Sequence, residues 1–271
     1  MIDTHCHLTY DGLHERIDDV LTGAATAGVD RMISVGTSPE DALKAVALTE
    51  RHEQVFATVG LHPHYSSLWT DQKVIVDAMR ELAGHPRVVA LGEMGLDRHY
   101  PDPPIDVQKR AFAWQLEVAN EIRAKPPPAG DQKPLPIIIH NREATDETVA
   151  MIRDSGMPGE RFVFHCFTGD GDELDVILDL GAMVSFTGIV TFRNAKTIAD
   201  CAARVPDDRI MIETDSPYLA PEPHRKVRPN EPRYVPHVAQ FLAERRGVDE
   251  QAFIRQVDAN AERFFGLPVS D

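Results

Sequence analysis

Eight short runs rich in β-branched and apolar residues recur along the chain, and helical spacing follows each of them. The runs are Ile2–His7, Arg31–Gly36, Val55–Leu61, Val88–Glu93, Pro136–His140, Phe162–His165, Met183–Phe186 and Ile210–Thr214. Between the first two, Leu13, Ile17, Val20 and Ala24 form a helical stripe ended by Gly28. Ser38-Pro39 reads as an N-cap with proline at the first helical position. Val107, Ala111, Trp114, Val118 and Ile122 make the clearest stripe, and Gly181 suits the residue just past a helix carrying Leu174, Ile177 and Leu178. A helix pair near Tyr234–Arg246 and Glu250–Phe265 closes the chain. In 271 residues this alternation predicts an α/β chain folded as one (β/α)8 TIM barrel, a fold that usually takes ~250 residues. The competitor, a doubly wound open sheet, usually carries a Gly-rich phosphate loop after its first strand. Here that turn reads Thr9-Tyr10-Asp11-Gly12, with neither GxGxxG nor a Walker A motif.

No internal domain boundary interrupts the pattern, so residues 1–271 are expected to form a single domain. The one low-complexity stretch, Lys125-Pro126-Pro127-Pro128 through Pro134, cannot continue the helix before it. It reads as a proline-rich surface excursion at about 125–135. A hydrophobic fraction of 42% supplies a sizeable core, and no run is long and apolar enough to span a membrane. The N-terminus lacks a basic region and an apolar signal core. Three cysteines, Cys6, Cys166 and Cys201, suggest no paired framework, and the expected location is the reducing cytoplasm. The net charge of −15 counts against a general DNA-coating protein. It leaves room for an enzyme that grips a few phosphates through local cations. The basic segment from His224 to Arg233 reads as a solvated loop.

In a barrel of this kind the active site forms where the strands end. The first strand carries His5 and His7, two apart and therefore on one face. The third ends in Gly60-Leu61-His62-Pro63-His64, and the fourth in Gly92-Glu93-Met94-Gly95-Leu96-Asp97. The fifth, sixth and eighth end in His140-Asn141-Arg142, His165-Cys166-Phe167 and Glu213-Thr214-Asp215. Any one of these residues alone reads as a cap or a satisfied polar group. Together, His5, His7, Glu93, His140, His165 and Asp215 are the right number for two divalent ions sharing one carboxylate. Imidazole and carboxylate donors suit zinc, manganese or iron, and magnesium less well.

The motifs DTHCHL, GLHPH, GEMGLD, IHNRE, FHCFTG and ETDSPYL run from Asp3 to Leu219 in barrel order. As a set the chain resembles the TatD family of metal-dependent deoxyribonucleases, within the amidohydrolase-like barrels. The resemblance implies two divalent metal ions (Mg2+, Mn2+ or Zn2+). His5, His7, Glu93 and Asp215 would hold one, and Glu93, His140 and His165 the other. It implies phosphate contacts from His62 and His64, a 3'-5' exodeoxyribonuclease activity on single-stranded DNA or 3' ends, and a monomer. Two departures bear on the substrate rather than the metals. Arg98-His99-Tyr100 stands where the family usually has an aromatic residue after GLD, and the proline-rich excursion replaces a short turn.

The expected reaction is hydrolysis by a metal-activated water attacking phosphorus in line. Glu93 and Asp215 are the catalytic candidates, with Asp215 orienting or deprotonating the water. Arg142 could fork onto a phosphate, or pair with Glu143 or Asp146. Glu213 could orient a ligand histidine or form a rim salt bridge. Asp97 is expected to fix the loop after Glu93 rather than to touch metal. Alternation turns Cys6 and Cys166 away from the barrel axis, and Cys201 falls on a helix stripe. Trp114 reads as core, whereas Trp69, near the active rim, could stack a base. Two other functions compete. The same site could cut another ester or amide bond, as a D-aminoacyl-tRNA deacylase does, since a barrel does not fix chemistry. A non-enzymatic metal-binding scaffold is the other, and the intact donor set argues against it.

Overall fold

A computed structural model describes residues 1–124 and 134–269. All eight predicted strands form: β1 (Ile2–Cys6), β2 (Arg31–Ser34), β3 (Val55–Val59), β4 (Val88–Asp97), β5 (Ile137–Arg142), β6 (Phe162–Phe164), β7 (Met183–Phe186) and β8 (Ile210–Ile212). They pair in parallel and in sequence order, with helices in the crossovers. The (β/α)8 barrel is therefore present. The proline-rich excursion lies, but for its last two residues, outside the described residues.

The barrel closes where β1 meets the chain leaving β8. Asp215 N donates to His5 O at 2.9 Å and His7 N donates to Ser216 O at 2.7 Å. Deeper in the seam, the Asp3 carboxylate accepts from Thr214 N at 2.9 Å and Thr214 Oγ1 at 2.6 Å. Burial pushes the Asp3 carboxyl up to about 7, against the lowering effect of those Thr214 bonds. Closure thus sets His5 and His7 beside Asp215, residues more than 200 positions apart.

Among the described residues, two apolar clusters form the core. The larger lies between sheet and helices. It includes Leu13, Val20 and Ala24 from the first stripe and Ala111 and Val118 from the 105–124 helix. The smaller draws on every strand, with Ile2, Ile33, Phe56, Ile138, Val163 and Met211 among its members. Only the barrel interior brings all eight strands together, so this cluster plugs the axis. Phe265 and Leu267 from the end of the last helix join it. That plug closes one mouth, which leaves the strands' C-terminal mouth for chemistry.

The first stripe is split into two helices, Asp11–His14 and Ile17–Thr26, with Arg16 leaving helical geometry between them; other local signals behave as read. Ser38 Oγ accepts from Asp41 N at 3.2 Å and Gly181 caps its helix at φ 92°. The last helix, Glu250–Phe265, is tied to β8 by fully buried Asn260. Its Nδ2 donates to Asp207 O at 2.7 Å and Ile210 O at 2.8 Å. Asn260→Ala leaves both carbonyls without that donor and is expected to destabilise the fold by about 2 kcal/mol, read as a lower urea midpoint at constant slope.

Two strands run further than the sequence suggests. β4 continues from Glu93 to Asp97, because β5 continues alongside it and pairs Asp97 with Arg142. The register shifts between Leu91 and Met94, around Glu93. That irregularity lets Glu93 reach the axis while Leu91 and Met94 stay in the outer core.

Candidate active site

The C-terminal mouth holds a cavity of about 1030 Å³ whose lining includes His7, His62, Glu93, His140, His165 and Asp215. At its floor is Glu93, 2% exposed. One oxygen, Oε1, lies 2.7 Å from both His140 Nδ1 and His165 Nε2, and 3.3 Å from His62 Nε2. The other, Oε2, lies 3.4 Å from His5 Nε2. His5 Nε2 is also 3.8 Å from Asp215 Oδ1, and His7 Nε2 is 3.2 Å from that oxygen. Of the six sequence-selected donors, His5, His140 and His165 meet Glu93 directly, and His5 and His7 meet Asp215. With His62, His64 and Asp97 they form, among the described residues, four groups able to hold a metal ion: His5 with His7 and Asp215, His5 with Glu93 and His165, His62 with Glu93 and His140, and His64 with Asp97 and His140, which places Asp97 among the possible metal donors, against expectation.

The electrostatics follow from burial and crowding. Burial alone would raise the Glu93 carboxyl, but His165, His62, His5 and the His140 hydrogen bond overcome it and hold the group well below its usual range. Burial would lower His165, yet Glu93 and Glu213 carry it well above its ordinary value. For His5 burial wins, with His165 adding to it, and the imidazole is pushed down. Burial also takes His62 down to about 4, against the pull of Glu93. Both nitrogens of buried His5 lack a hydrogen-bond partner. A buried polar group left unsatisfied needs a reason.

The second layer of contacts is only partly as expected. Glu213 Oε1 accepts from Cys166 N at 2.7 Å and lies 3.2 Å from His165 Nδ1, so it orients His165 rather than forming a rim salt bridge. Asp97 does fix its loop, accepting from Tyr100 N at 3.1 Å. It also lies 2.9 Å from His140 Nε2 and 3.0 Å from His64 Nε2. That link to His140 was not expected. It arises because β4 and β5 stay paired past Glu93. His62 sits among the Glu93 donors, while His64 is half-exposed and faces Asp97. Arg142 lines the cavity with its guanidinium 5.3 Å from the Tyr100 ring centroid. Among the described residues, Glu143 pairs with His99 at 2.8 Å instead.

Cys6 is fully buried and Cys201 2% exposed, as alternation and helix spacing suggested. Cys166 departs from that pattern: β6 ends at Phe164, Cys166 adopts φ 46°, and it lines the cavity. Period-2 reasoning does not survive the end of a strand. Trp69, like Trp114, packs against the outer core. Beside Phe164 and Phe167 the cavity is lined by Tyr10, Tyr65, Tyr100 and Tyr218, of which the motif reading singled out only Tyr100, within Arg98-His99-Tyr100. Their signal was position alone, since each lies a few residues beyond a strand end.

Comparison with known proteins adds independent support. The chain is similar to the metal-dependent hydrolase YabD of Bacillus subtilis strain 168, 34% identical over 267 residues, covering 98% of this chain and 99% of that one. It is 36% identical over 255 residues to the 3'-5' ssDNA/RNA exonuclease TatD of Rahnella sp. strain Y9602, covering 92% and 91%. The crystal structure of YJJV, a TatD homolog from Escherichia coli K12, superposes with a TM-score of 0.87 at 27% identity, covering 99% and 98%. A family model for TatD related DNase matches residues 2–266. Full-length agreement in sequence, fold and strand order means that the chain belongs to the TatD-related DNase family.

Proposed function

We propose that this protein is a metal-dependent hydrolase that cleaves phosphodiester bonds in single-stranded DNA, acting from the 3' end. The observation that carries the reading is Glu93, one buried carboxylate with an oxygen turned to each of two donor groups. His5 supplies the test of fit. Its buried Nε2 has no hydrogen-bond partner yet points at Glu93 and Asp215, as a metal donor would. On this reading His5, His7, Glu93 and Asp215 hold one divalent ion, and Glu93, His140 and His165 a second. Mg2+, Mn2+ and Zn2+ are the candidates. The exonuclease relatives support the nucleic-acid substrate and the direction of attack.

Ions bound there would supply a water nucleophile at neutral pH and charge neutralisation on the phosphoryl oxygens. The chain's own residues do the rest. Asp215 orients the attacking water and accepts its proton at a carboxylate oxygen. His62 and His64 contact phosphate oxygens from the opposite side of the cavity, and Arg142 adds a forked donor set at the rim. Asp97 and Glu213 hold the His140 and His165 rings in fixed orientations. The site needs no residue from a second copy, a monomer is the proposed state, and three free cysteines suit the cytoplasm.

The test is a 5'-labelled single-stranded oligonucleotide incubated with each metal in turn. A ladder shortening from the 3' end supports the reading. Cleavage of an ester or D-aminoacyl-tRNA panel with none of DNA would overturn it. Glu213→Gln is expected to weaken metal affinity about 10- to 100-fold, because a neutral amide orients His165 less firmly. Titration calorimetry would measure that loss, and an unchanged affinity would remove Glu213 from the role.

A further inference from the structure

The chain has five tyrosines, and four of them, Tyr10, Tyr65, Tyr100 and Tyr218, line the mouth of the one cavity just described. Their exposures are 47%, 41%, 47% and 54%. A single exposed aromatic ring needs no explanation, but four on one rim do. They come in two pairs. Tyr10 follows β1 and Tyr218 follows β8, neighbours across the barrel seam, with ring centroids 6.4 Å apart at 62°. Tyr218 also meets His7 edge-on at 6.2 Å. Tyr65 follows β3 and Tyr100 follows β4, again on neighbouring strands. Tyr65 lies 6.1 Å from His62, Tyr100 lies 5.1 Å from His64, and Arg142 stands over Tyr100. One pair thus flanks the His7–Asp215 side of the donor cluster and the other flanks the His62–His140 side.

A chain with net charge −15 gains little from long-range attraction to a polyanion. Besides the donors and Arg142, the same cavity is lined by Asp41, Asp102, Glu143 and Glu173. Beyond the phosphates gripped at the donor cluster and by Arg142, a nucleic-acid strand entering it needs other groups to hold it. Tyrosine faces meet that need, because every base has a π-face and stacking tolerates any sequence. At about 1030 Å³ the cavity is at the upper end of small-ligand clefts and has room for more than one chain unit.

Resting on the nuclease reading above, we propose that the tyrosines form a two-sided stacking collar, each pair holding the unstacked base on one side of the scissile phosphate. The favoured substrate is then a single strand whose terminal bases are splayed. A duplex end must fray before it enters, and base identity matters little.

The test uses fluorescein-labelled oligothymidylate with hydrolysis-resistant phosphorothioates at its 3'-terminal linkages, bound to the full-length protein and followed by anisotropy. Tyr10→Leu with Tyr218→Leu, and separately Tyr65→Leu with Tyr100→Leu, are each expected to weaken binding about 5- to 100-fold. The matching Tyr→Phe doubles keep the stacking face and stay near wild type. An oligomer with abasic terminal residues should bind wild type weakly and show no further loss in the Leu variants. Leu variants that bind like wild type, or that lose as much on the abasic oligomer, overturn the collar. If wild type cleaves unmodified DNA while the Leu variants bind normally, the collar falls and the nuclease reading stands. If binding needs the tyrosines but no cleavage occurs, the nuclease reading falls and the collar stands.

Discussion

Glu93→Gln is expected to lower turnover of a single-stranded oligonucleotide by at least about 10³-fold, with the fold retained. The substitution keeps the shape of the side chain and removes one charge. That charge has four imidazoles around it: His140, His165, His62 and His5. A neutral amide has a single acceptor oxygen, and its NH2 group repels a cation where Glu93 offers a second oxygen. Both donor groups are therefore damaged at once. His7→Ala touches only the group containing His5 and Asp215. Metal content per chain separates the two cases. His7→Ala should lose one equivalent, and Glu93→Gln should lose both. A Glu93→Gln protein that kept two equivalents and near-normal turnover would show that the shared carboxylate is not the centre of the site.

The donors around Glu93 were legible in the sequence because buried strands are mostly apolar and ligand-type residues gather at their ends. His140 and His165 each follow an apolar run, His5 and His7 alternate along the first strand, and Asp215 lies three residues past Ile212. What stayed hidden depends on backbone that leaves the regular pattern. Cys166 at φ 46° and Asp215 at φ 52° take conformations no alternation rule anticipates. The same limit hid the Asp97 link to His140, which needs β4 and β5 to remain paired four residues beyond Glu93. It also hid the place of His62, which came in beside His140 at 3.1 Å instead of standing off as a phosphate contact alone. The tyrosines were missed as a set for a different reason. Each is ordinary by itself, and only barrel closure shows that loops after β1, β3, β4 and β8 share one rim.

Gly95→Ala is expected to be among the most damaging single-methyl additions in the chain, costing about 3–5 kcal/mol and weakening metal binding as well. Gly95 pairs with His140 across β4 and β5 and has φ +146°, which disfavours any side chain. A Cβ there would lie 2.0 Å from His140 O and 3.0 Å from His140 C. Both atoms are backbone, so no rotamer change relieves the overlap. Relief requires β5 to move at His140, whose ring must reach Glu93 and Asp97 together. Gly28→Ala provides the control. Gly28 also has positive φ, at +81°, but a Cβ there meets nothing within 4 Å. It should lose only the conformational part, about 1 kcal/mol. Thermal melting with and without added Mn2+ would read both effects. Gly28→Ala should keep the full metal-induced rise in Tm, while Gly95→Ala should melt lower and lose most of that rise. Equal melting of the two variants would mean that β5 yields at His140 without cost, and that the strand pairing does not hold this ring in place.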